Sequence, residues 1–271
     1  MYNFAVLGNP IKHSKSPLIY SIFASLTNIK FCKYTKILVS KNNFNMIINN
    51  FFANGGLGIN ITSPFKEHAI KLCDNASYIS NITKVVNTIK KQKDGTLFGD
   101  NTDGIGLIND LIRLRLLEYN SNILLIGAGG AAKIIIMFLL SYGCKIFISN
   151  RNINRAINLY NFYKQLDPTC NIILLPIQYT NKHNYDLVIN ATPIVLDFNI
   201  IKLSTVTKKT AKFYDLYYHN NYKSVLLKRR KEKISYYDGI GMLIYQAAYS
   251  FFLWHGIYPP VSLVLKYFIK Q

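Results

Sequence analysis

The chain has 271 residues, of which 50% are hydrophobic and 17% charged, so it can bury a substantial core as one large or two ordinary domains and is not intrinsically disordered. Its net charge of +19 raises nucleic acid or an anionic membrane as partners. The lysines are dispersed except in the run Lys228-Arg-Arg-Lys-Glu-Lys233, which we interpret as a solvated helix end, and no nucleic-acid-binding motif is present, so we expect neither partner. Four scattered cysteines and five isolated histidines lack metal-ligand spacing, which predicts a reducing compartment and no metal site.

The first hundred residues alternate strand-like and helix-like segments. No secretory signal precedes them, so we expect a cytoplasmic protein. The predicted strands are Phe4–Leu7, Tyr34–Val39, Gly58–Thr62 and Val85–Lys90, and the predicted helices are Pro17–Leu26, Phe44–Phe52 and Lys66–Leu72. The alternation indicates an α/β fold, and a hairpin turn at Lys93-Asp-Gly95 leads to a short strand over Thr96–Phe98.

Two serines precede the first predicted helix. Ser14 and Ser16 lie in the segment Gly8-Asn-Pro-Ile-Lys-His-Ser-Lys-Ser-Pro17, and Pro17 suits the first helical position. Ser16 can act as an ordinary N-cap, or the two hydroxyls can hold a carboxylate at the helix N-terminus. The local pattern leaves both interpretations open.

A lysine follows the third predicted strand. With Ser63 as N-cap and Pro64 at the first helical position, Lys66 falls at the third position of a helix. The helix macrodipole disfavours a cation there and so lowers the lysine pKa, as a general acid/base requires. The alternative is a solvent-exposed lysine that Glu67 neutralises.

Two carboxylates occur in Gly99-Asp-Asn-Thr-Asp-Gly104, where the first predicted domain ends. In isolation this segment is a turn with side-chain hydrogen bonds, and it lacks the remaining ligands of a calcium loop. The functional alternative is that Asp103 meets a cation across a cleft between two domains, with Lys66 as the candidate. Such a pair can relay a proton while it hydrogen-bonds a substrate hydroxyl.

A strand, a glycine turn and a helix succeed one another over Asn122–Leu140. In the turn Gly127-Ala-Gly-Gly-Ala131, the backbone N–H groups at the helix N-terminus are open to a pyrophosphate. The next predicted strand, Cys144–Ser149, is followed by Arg151 and lacks the Asp or Glu that binds an NAD ribose. Arginine here, with Arg155 four residues later, suits an adenosine 2′-phosphate, so we predict an NADP site in a Rossmann-type domain.

The remaining segments complete this domain and a helical tail. Helix Ile153–Leu166 and strands Asn171–Leu175, Asp186–Asn190 and Phe213–Asp215 come next, and a long aromatic helix runs from about Met242 to His255 before a last helix. We predict an α/β substrate domain over residues 1–102, a Rossmann domain over 103–238 and C-terminal helices over 239–271 that return to the first domain. Gln246 is either a surface residue or a buried amide that binds a hydroxylated ligand.

Nine blocks in this order carry a family resemblance. They are Ala5–Pro17, Asn60–Glu67, Val86–Thr88, Gly99–Gly104, Gly127–Ala131, Ser149–Arg151, Ile189–Thr192, Tyr214–Asp215 and Asp238–Leu243. Together they span essentially the whole chain and resemble the shikimate dehydrogenase family. The resemblance implies NADPH-dependent reduction of 3-dehydroshikimate to shikimate, on the route to chorismate and the aromatic amino acids, with a small molecule as partner; it leaves a homodimer open.

The resemblance also implies a role for each matching residue. Lys66 and Asp103 correspond to the catalytic pair, with Lys66 exchanging the proton as hydride passes to or from nicotinamide. The implied substrate ligands, besides that pair, are Ser14, Ser16 and Tyr218 for the carboxylate and Thr62, Asn87 and Gln246 for the ring hydroxyls. The implied cofactor contacts are Gly127, Ala128, Gly129, Gly130, Ala131, Asn150, Arg151, Arg155, Leu216, Gly239 and Met242.

The chain departs from the family pattern at two places that bear on the site. Pro193-Ile-Val195 stands where a Ser and a Gly usually follow Asn190-Ala-Thr192, in a loop that borders the cofactor. Lys84 stands where a small residue, often Gly, precedes Val86-Asn-Thr88. Three alternatives are weighed against the function that the resemblance implies. They are a quinate/shikimate dehydrogenase that uses NAD, which Arg151 opposes; a paralogue that binds ligand without turnover, which the intact catalytic set opposes; and a basic nucleic-acid-binding protein on a Rossmann scaffold, which the lack of clustered basic residues opposes.

Overall fold

The computed structural model, which describes residues 2–30, 32–182, 184–192, 207–218 and 235–269, divides the chain into two units. The first unit combines Met1–Gly106 with Leu243–Gln271, and the second is Leu107–Met242. The chain therefore passes from the first unit to the second and later returns.

The first unit is built on a six-stranded mixed sheet. Its strands are β1 (Tyr2–Gly8), β2 (Cys32–Leu38), β3 (Gly56–Ile61), β4 (Asn75–Ala76), β5 (Thr88–Lys91) and β6 (Leu97–Asp100). Its helices are α1 (Ser16–Leu26), α2 (Phe44–Ala53), α3 (Lys66–Ala69), α4 (Tyr78–Thr83), most of α8 (Ile240–His255), α9 (Val261–Ile269) and the start of α5 (Asp103–Arg113). The strand order is β2-β1-β3-β5-β6-β4, in which β5 runs antiparallel to both of its neighbours.

The first sheet brings three polar loops to one edge. The central strand β1 is buried on both faces, as its continuous apolar run Phe4-Ala-Val-Leu7 predicts. Strands β1 and β3 are parallel, and β3 and β6 are both antiparallel to β5. The strands β1, β3 and β6 therefore run in the same direction, and their carboxyl ends lie at the same edge of the sheet. The loops that follow these three ends lead to Ser16, Lys66 and Asp103.

The second unit is a parallel α/β sheet of six strands. Its strands are β7 (Asn122–Ile126), β8 (Lys145–Ser149), β9 (Ile172–Leu174), β10 (Tyr185–Asn190), β11 (Thr207–Asp215) and β12 (Ser235–Asp238). Its helices are α6 (Gly130–Ser141) and α7 (Ile153–Leu166), with the rest of α5, the first residues of α8 and a 3₁₀ segment at Ile177–Lys182. The order β9-β8-β7-β10-β11-β12 is that of the Rossmann fold. The predicted α/β class with a Rossmann-type unit is confirmed.

The N-cap interpretations of Ser63 and Ser16 are wrong. Helix α3 begins at Lys66 with Phe65 at its N-cap, so Ser63 does not cap it. Helix α3 has only four residues before a 3₁₀ turn at Ile70–Leu72, so its macrodipole is small. The helix-dipole field that we expected at Lys66 is therefore not supported. Helix α1 likewise begins at Ser16, which is therefore not its N-cap.

Within the described ranges, no helix is both long and apolar enough to cross a membrane.

Candidate active site

The first unit joins Lys66 and Asp103 in an ion pair. Lys66 is the first residue of α3, Asp103 is the first of α5, and Lys66 Nζ lies 2.6 Å from Asp103 Oδ2. The two side chains are 17% and 7% exposed, so water only partly screens the pair. Both residues belong to the first unit, whereas the sequence suggested a contact across a cleft between domains.

Asn87 fixes the other oxygen of Asp103. Its amide nitrogen donates to Asp103 Oδ1 at 2.8 Å, and its amide oxygen accepts from the backbone N–H of Thr102 at 2.9 Å. The hydroxyl of Thr88 donates to the same amide oxygen at 2.8 Å. Since a backbone N–H can only donate, this bond sets which end of the amide faces Asp103. Both carboxylate oxygens of Asp103 are thereby held.

A buried cluster of hydroxyls supports Asn87. Ser250 in α8 lies 2.7 Å from the Thr88 hydroxyl and 3.2 Å from the Thr102 hydroxyl, and it accepts from the Asn60 amide at 3.1 Å. The hydroxyls of Tyr20 and Tyr34 donate to the Asn60 oxygen at 2.8 and 2.7 Å. Burial raises the pKa of Tyr20, which keeps its hydroxyl a donor.

The sequence did not indicate this cluster. Asn60 and Ser250 are 190 residues apart, so no spacing rule links them. The available signal was that Asn60, Thr88 and Thr102 all occur inside the blocks that carry the resemblance.

The remaining predicted substrate ligands of the first unit lie in three places. The hydroxyl of Ser14 contacts that of Ser16 at 3.1 Å, and it also accepts from the Ser16 backbone N–H at 3.3 Å. Gln246 joins the hydroxyl cluster, because its side-chain oxygen accepts from Thr102 at 3.4 Å. Thr62 lies against Gly8, where a β-carbon would overlap its methyl group. This contact places the loops after β1 and β3 side by side.

The glycine turn of the second unit lies at the point where the strand order reverses. Gly127 has φ +123°, and a β-carbon there would come within 2.9 Å of the Ala191 backbone at the end of β10. Among the described residues, chain neighbours aside, no atom lies within 4 Å of a β-carbon position on Gly129, and α6 begins at the next residue. In Rossmann folds the pyrophosphate binds at this helix N-terminus.

Two exposed arginines follow β8. Arg151 comes two residues after the strand end at Ser149, and Arg155 lies in the first turn of α7. The loop between them is ordered by side-chain bonds, since the Asn150 amide donates to the Asn152 carbonyl and Asn152 caps α7 through Asn154 N–H. No acidic side chain stands between β8 and α7, where a ribose-binding carboxylate would lie.

The other residues assigned to the cofactor side lie near the end of β11. A β-carbon on Gly239 would overlap the carbonyl oxygen of Leu216, and Met242 is 8% exposed. Tyr218 belongs to the second unit, whereas the other predicted substrate ligands belong to the first. Burial, and then the neighbouring Tyr217, raise the pKa of Tyr218 to about 12. The divergent segment Pro193-Ile-Val195 lies outside the described residues.

The described residues contain no group of three His, Cys, Asp or Glu side chains that could hold a metal ion.

The two units together define the class of protein. One is a Rossmann-type unit in which arginines, and no carboxylate, follow β8, and the other holds a lysine–carboxylate pair, so the chain is an α/β dehydrogenase. Three family models match the chain: "Shikimate dehydrogenase substrate binding domain" over residues 6–89, "Shikimate / quinate 5-dehydrogenase" over 113–215 and "Shikimate 5'-dehydrogenase C-terminal domain" over 239–266. The chain belongs to the shikimate dehydrogenase family.

Similar proteins cover nearly the whole chain. The shikimate dehydrogenase (NADP(+)) of Blochmanniella pennsylvanica (strain BPEN) is 45% identical over an alignment of 289 positions, gaps included, that covers 98% of each protein. An Ael1 enzyme from Pseudomonas putida superposes with a TM-score of 0.85 at 32% identity, covering 98% of this chain and 97% of that one. A shikimate dehydrogenase solved in complex with NADP+ has a TM-score of 0.85 at 29% identity, with 97% and 93% covered.

Proposed function

We propose that this chain catalyses the reversible NADPH-dependent reduction of 3-dehydroshikimate to shikimate, with Lys66 as general acid/base. Family membership and the 45% identity to an NADP(+)-dependent relative support the reaction and the cofactor. The observation that carries the assignment of the proton transfer is the 2.6 Å pair of Lys66 and Asp103.

Lys66 moves the proton in this proposal. In the reducing direction its ammonium group donates a proton to the carbonyl oxygen of the ketone, and in the oxidising direction the neutral amine accepts the hydroxyl proton. Asp103 holds Nζ through one oxygen while Asn87 holds the other, so the amine is kept in a fixed direction. A preorganised pair of this kind avoids the cost of orienting the acid during the reaction.

The polar groups at the edge of the first sheet would bind the substrate. Ser14 and Ser16, whose hydroxyls meet at 3.1 Å, would hold the carboxylate together with Tyr218. Thr62, Asn87 and Gln246 would bind the ring hydroxyls. The contacts of Asn87 and Gln246 with Thr102 support this assignment, because they fix both amides beside the catalytic pair.

The second unit fits NADP(H) by its own geometry. The described part of the chain leaves open space beside Gly129 at the N-terminus of α6, so the segment Gly127–Ala131 would hold the pyrophosphate. Arg151 and Arg155, with Asn150, would hold the adenosine 2′-phosphate through charge-assisted hydrogen bonds. Leu216, Gly239 and Met242 would border the nicotinamide. When bound, NADPH supplies the hydride.

We further propose that the enzyme works in the cytoplasm. Cys73, Cys144 and Cys170 are free thiols, as a reducing compartment requires, and burial raises the pKa of Cys144 to about 11. A homodimer stays a prediction that size-exclusion chromatography with light scattering would test.

The test of the mechanism is NADPH formation from shikimate and NADP+ by wild type, Lys66→Ala and Lys71→Ala. Lys71 is an exposed lysine five residues later, so Lys71→Ala removes one charge without touching the pair. We expect Lys66→Ala to lower kcat by about 10²- to 10⁴-fold and to change the shikimate KM less, while Lys71→Ala matches wild type. Activity that survives the loss of Lys66 would contradict the proton transfer. A wild-type protein that forms no NADPH would overturn the reaction itself.

A further inference from the structure

The second unit contains a buried carboxylate that the mechanism above does not use. Asp110 in α5 is fully buried, and Arg113 donates to its Oδ1 from Nε and from a terminal guanidinium nitrogen, each at 2.7 Å. The hydroxyl of Tyr214 near the end of β11, also fully buried, donates to Asp110 Oδ2 at 2.7 Å. Burial raises the pKa of Asp110, and the Tyr214 and Arg113 donors oppose that rise.

This carboxylate lies directly against the first turn of α8. A β-carbon on Gly241 would overlap the Asp110 carboxylate, so no larger residue fits there. A backbone hydrogen bond from Met242 also reaches Asp110. The position of the carboxylate therefore sets the position of the backbone at residues 241 and 242.

The same turn is fixed from its other side. A β-carbon on Gly239 would overlap the Leu216 carbonyl oxygen just after β11. Asp238 accepts a hydrogen bond from the Ile240 N–H at 3.1 Å. Because Gly239 and Gly241 have no side chains, their backbone atoms pack directly against Leu216 and Asp110, and no flexible side chain separates them from these neighbours. The position of the turn over residues 238–242 therefore depends on the positions of Asp110 and Leu216.

We propose that Asp110 and Tyr214 are positioning residues, which clamp the turn over residues 238–242 so that Gly239 and Met242 meet the nicotinamide in the geometry that hydride transfer needs. The inference rests on the proposed function, from which those two nicotinamide contacts come. Asp110 acts through the backbone of Gly241 and Met242, and Tyr214 acts by orienting Asp110. A displacement of about 1 Å at a reacting group can cost about 100-fold in rate.

Asp110→Asn and Tyr214→Phe test the clamp, with Asp186→Asn as the matched control. Asp186 is a carboxylate of the same unit that accepts from the Asn122 N–H at 2.9 Å at the amino end of β10, so its loss should leave the turn alone. We expect kcat to fall about 10- to 100-fold in Asp110→Asn and less in Tyr214→Phe, with the shikimate KM changed less than about threefold. The primary isotope effect with shikimate deuterated at the carbon that loses hydride should rise, because hydride transfer becomes rate-limiting.

A second measurement needs no turnover. Amide hydrogen exchange of the ligand-free protein, over the peptide that contains residues 238–245, should be at least about tenfold faster in Asp110→Asn and Tyr214→Phe than in wild type and Asp186→Asn. If Asp110→Asn does not fold, Tyr214→Phe decides, since it keeps the carboxylate and Arg113.

The two measurements separate the possible failures. Unchanged exchange in the turn together with an unchanged isotope effect would overturn the clamp, even if the variants melted at lower temperature. Faster exchange in a protein whose wild type forms no NADPH would reject the proposed function and leave the clamping of the turn supported. Faster exchange with a raised isotope effect supports both.

Discussion

Lys84 ends α4 in the left-handed backbone region, with φ 57° and ψ 33°. A residue with a β-carbon is disfavoured there by about 1–2 kcal/mol, and glycine is not, which agrees with the glycine that often stands here in the family. We expect Lys84→Gly to raise the free energy of unfolding by about 1 kcal/mol, because the relief of strain outweighs the added freedom of the unfolded chain. Lys84→Ala keeps the β-carbon and is the matched control. Urea denaturation that finds the two variants equally stable would contradict this account.

We propose that Arg151 decides between the two nicotinamide cofactors. A charge-assisted hydrogen bond is worth about 1.5–3 kcal/mol, so Arg151→Ala should lower kcat/KM for NADP+ by about 10- to 100-fold. The same change should leave kcat/KM for NAD+ within about threefold, because NAD+ has no 2′-phosphate for the guanidinium to bind. Arg115→Ala, at another exposed arginine of the second unit, controls for loss of charge. An unaltered preference for NADP+ in Arg151→Ala would refute the assignment.

At the scale of elements, apolar periodicity predicted the long strands and helices. Helix α7 has the predicted bounds, Ile153–Leu166, and β10 starts one residue before its predicted range. The short elements β4 and α4 were missed, because two residues and one polar turn give no period to detect. The predicted domain limits stay a prediction.

The wrong N-cap at α3 has its cause in a tertiary contact. The serine–proline pairs Ser16-Pro17 and Ser63-Pro64 look like helix starts locally. In the fold, the Ser63 carbonyl instead accepts from the Asn9 N–H, a bond between two loops that sequence spacing cannot indicate. In the candidate site, too, only part could be predicted from the sequence. Motif blocks indicate Lys66 and Asp103, whereas the hydroxyls that orient Asn87 come from distant segments that no spacing rule connects.

Helix α8 ends in a histidine that the fold keeps neutral. The His255 ring lies 5.1 Å from the ring of Phe4 and 4.4 Å from that of Phe251, measured between centroids. Burial, and then the positive charge of Lys90, lower the pKa of His255 from 6.5 to about 4. His255 therefore becomes protonated below pH 6.5 in the unfolded chain, but only near pH 4 in the folded chain. The contribution of His255 to the free energy of unfolding is complete above pH 6.5 and is lost as the pH falls towards 4.

His255→Gln should reduce the acid sensitivity of folding. Wild type loses free energy of unfolding between about pH 7 and about pH 4.5 from several groups, and the variant should lose less because glutamine does not titrate. His68→Gln, at an exposed histidine, is the matched control. Chemical denaturation at the two pH values gives the difference, and an equal loss in wild type and His255→Gln would count against the neutral histidine.

The whole molecule carries a large excess of positive charge, with 32 lysines and arginines against 13 acidic residues. Apart from the run Lys228-Arg-Arg-Lys-Glu-Lys233, the basic residues are dispersed over the sequence, and we expect no binding site for a nucleic acid. Both proposed ligands are anions, since shikimate has a carboxylate and NADP+ has three phosphates. A positive potential around the protein raises their local concentration without any specific contact.

This potential makes the capture of ligand sensitive to salt. The screening length falls from about 30 Å at about 0.01 M to about 8 Å at about 0.15 M ionic strength, so the distant charges stop contributing. Over that range we expect kcat/KM for NADP+ to fall several-fold while kcat changes little, because chemistry occurs in a site where the contacts are short. Steady-state kinetics in NaCl gives the slope, and sucrose at matched osmolality separates screening from a general solvent effect. A kcat/KM that stays constant in NaCl would show that the excess charge has no part in binding the cofactor.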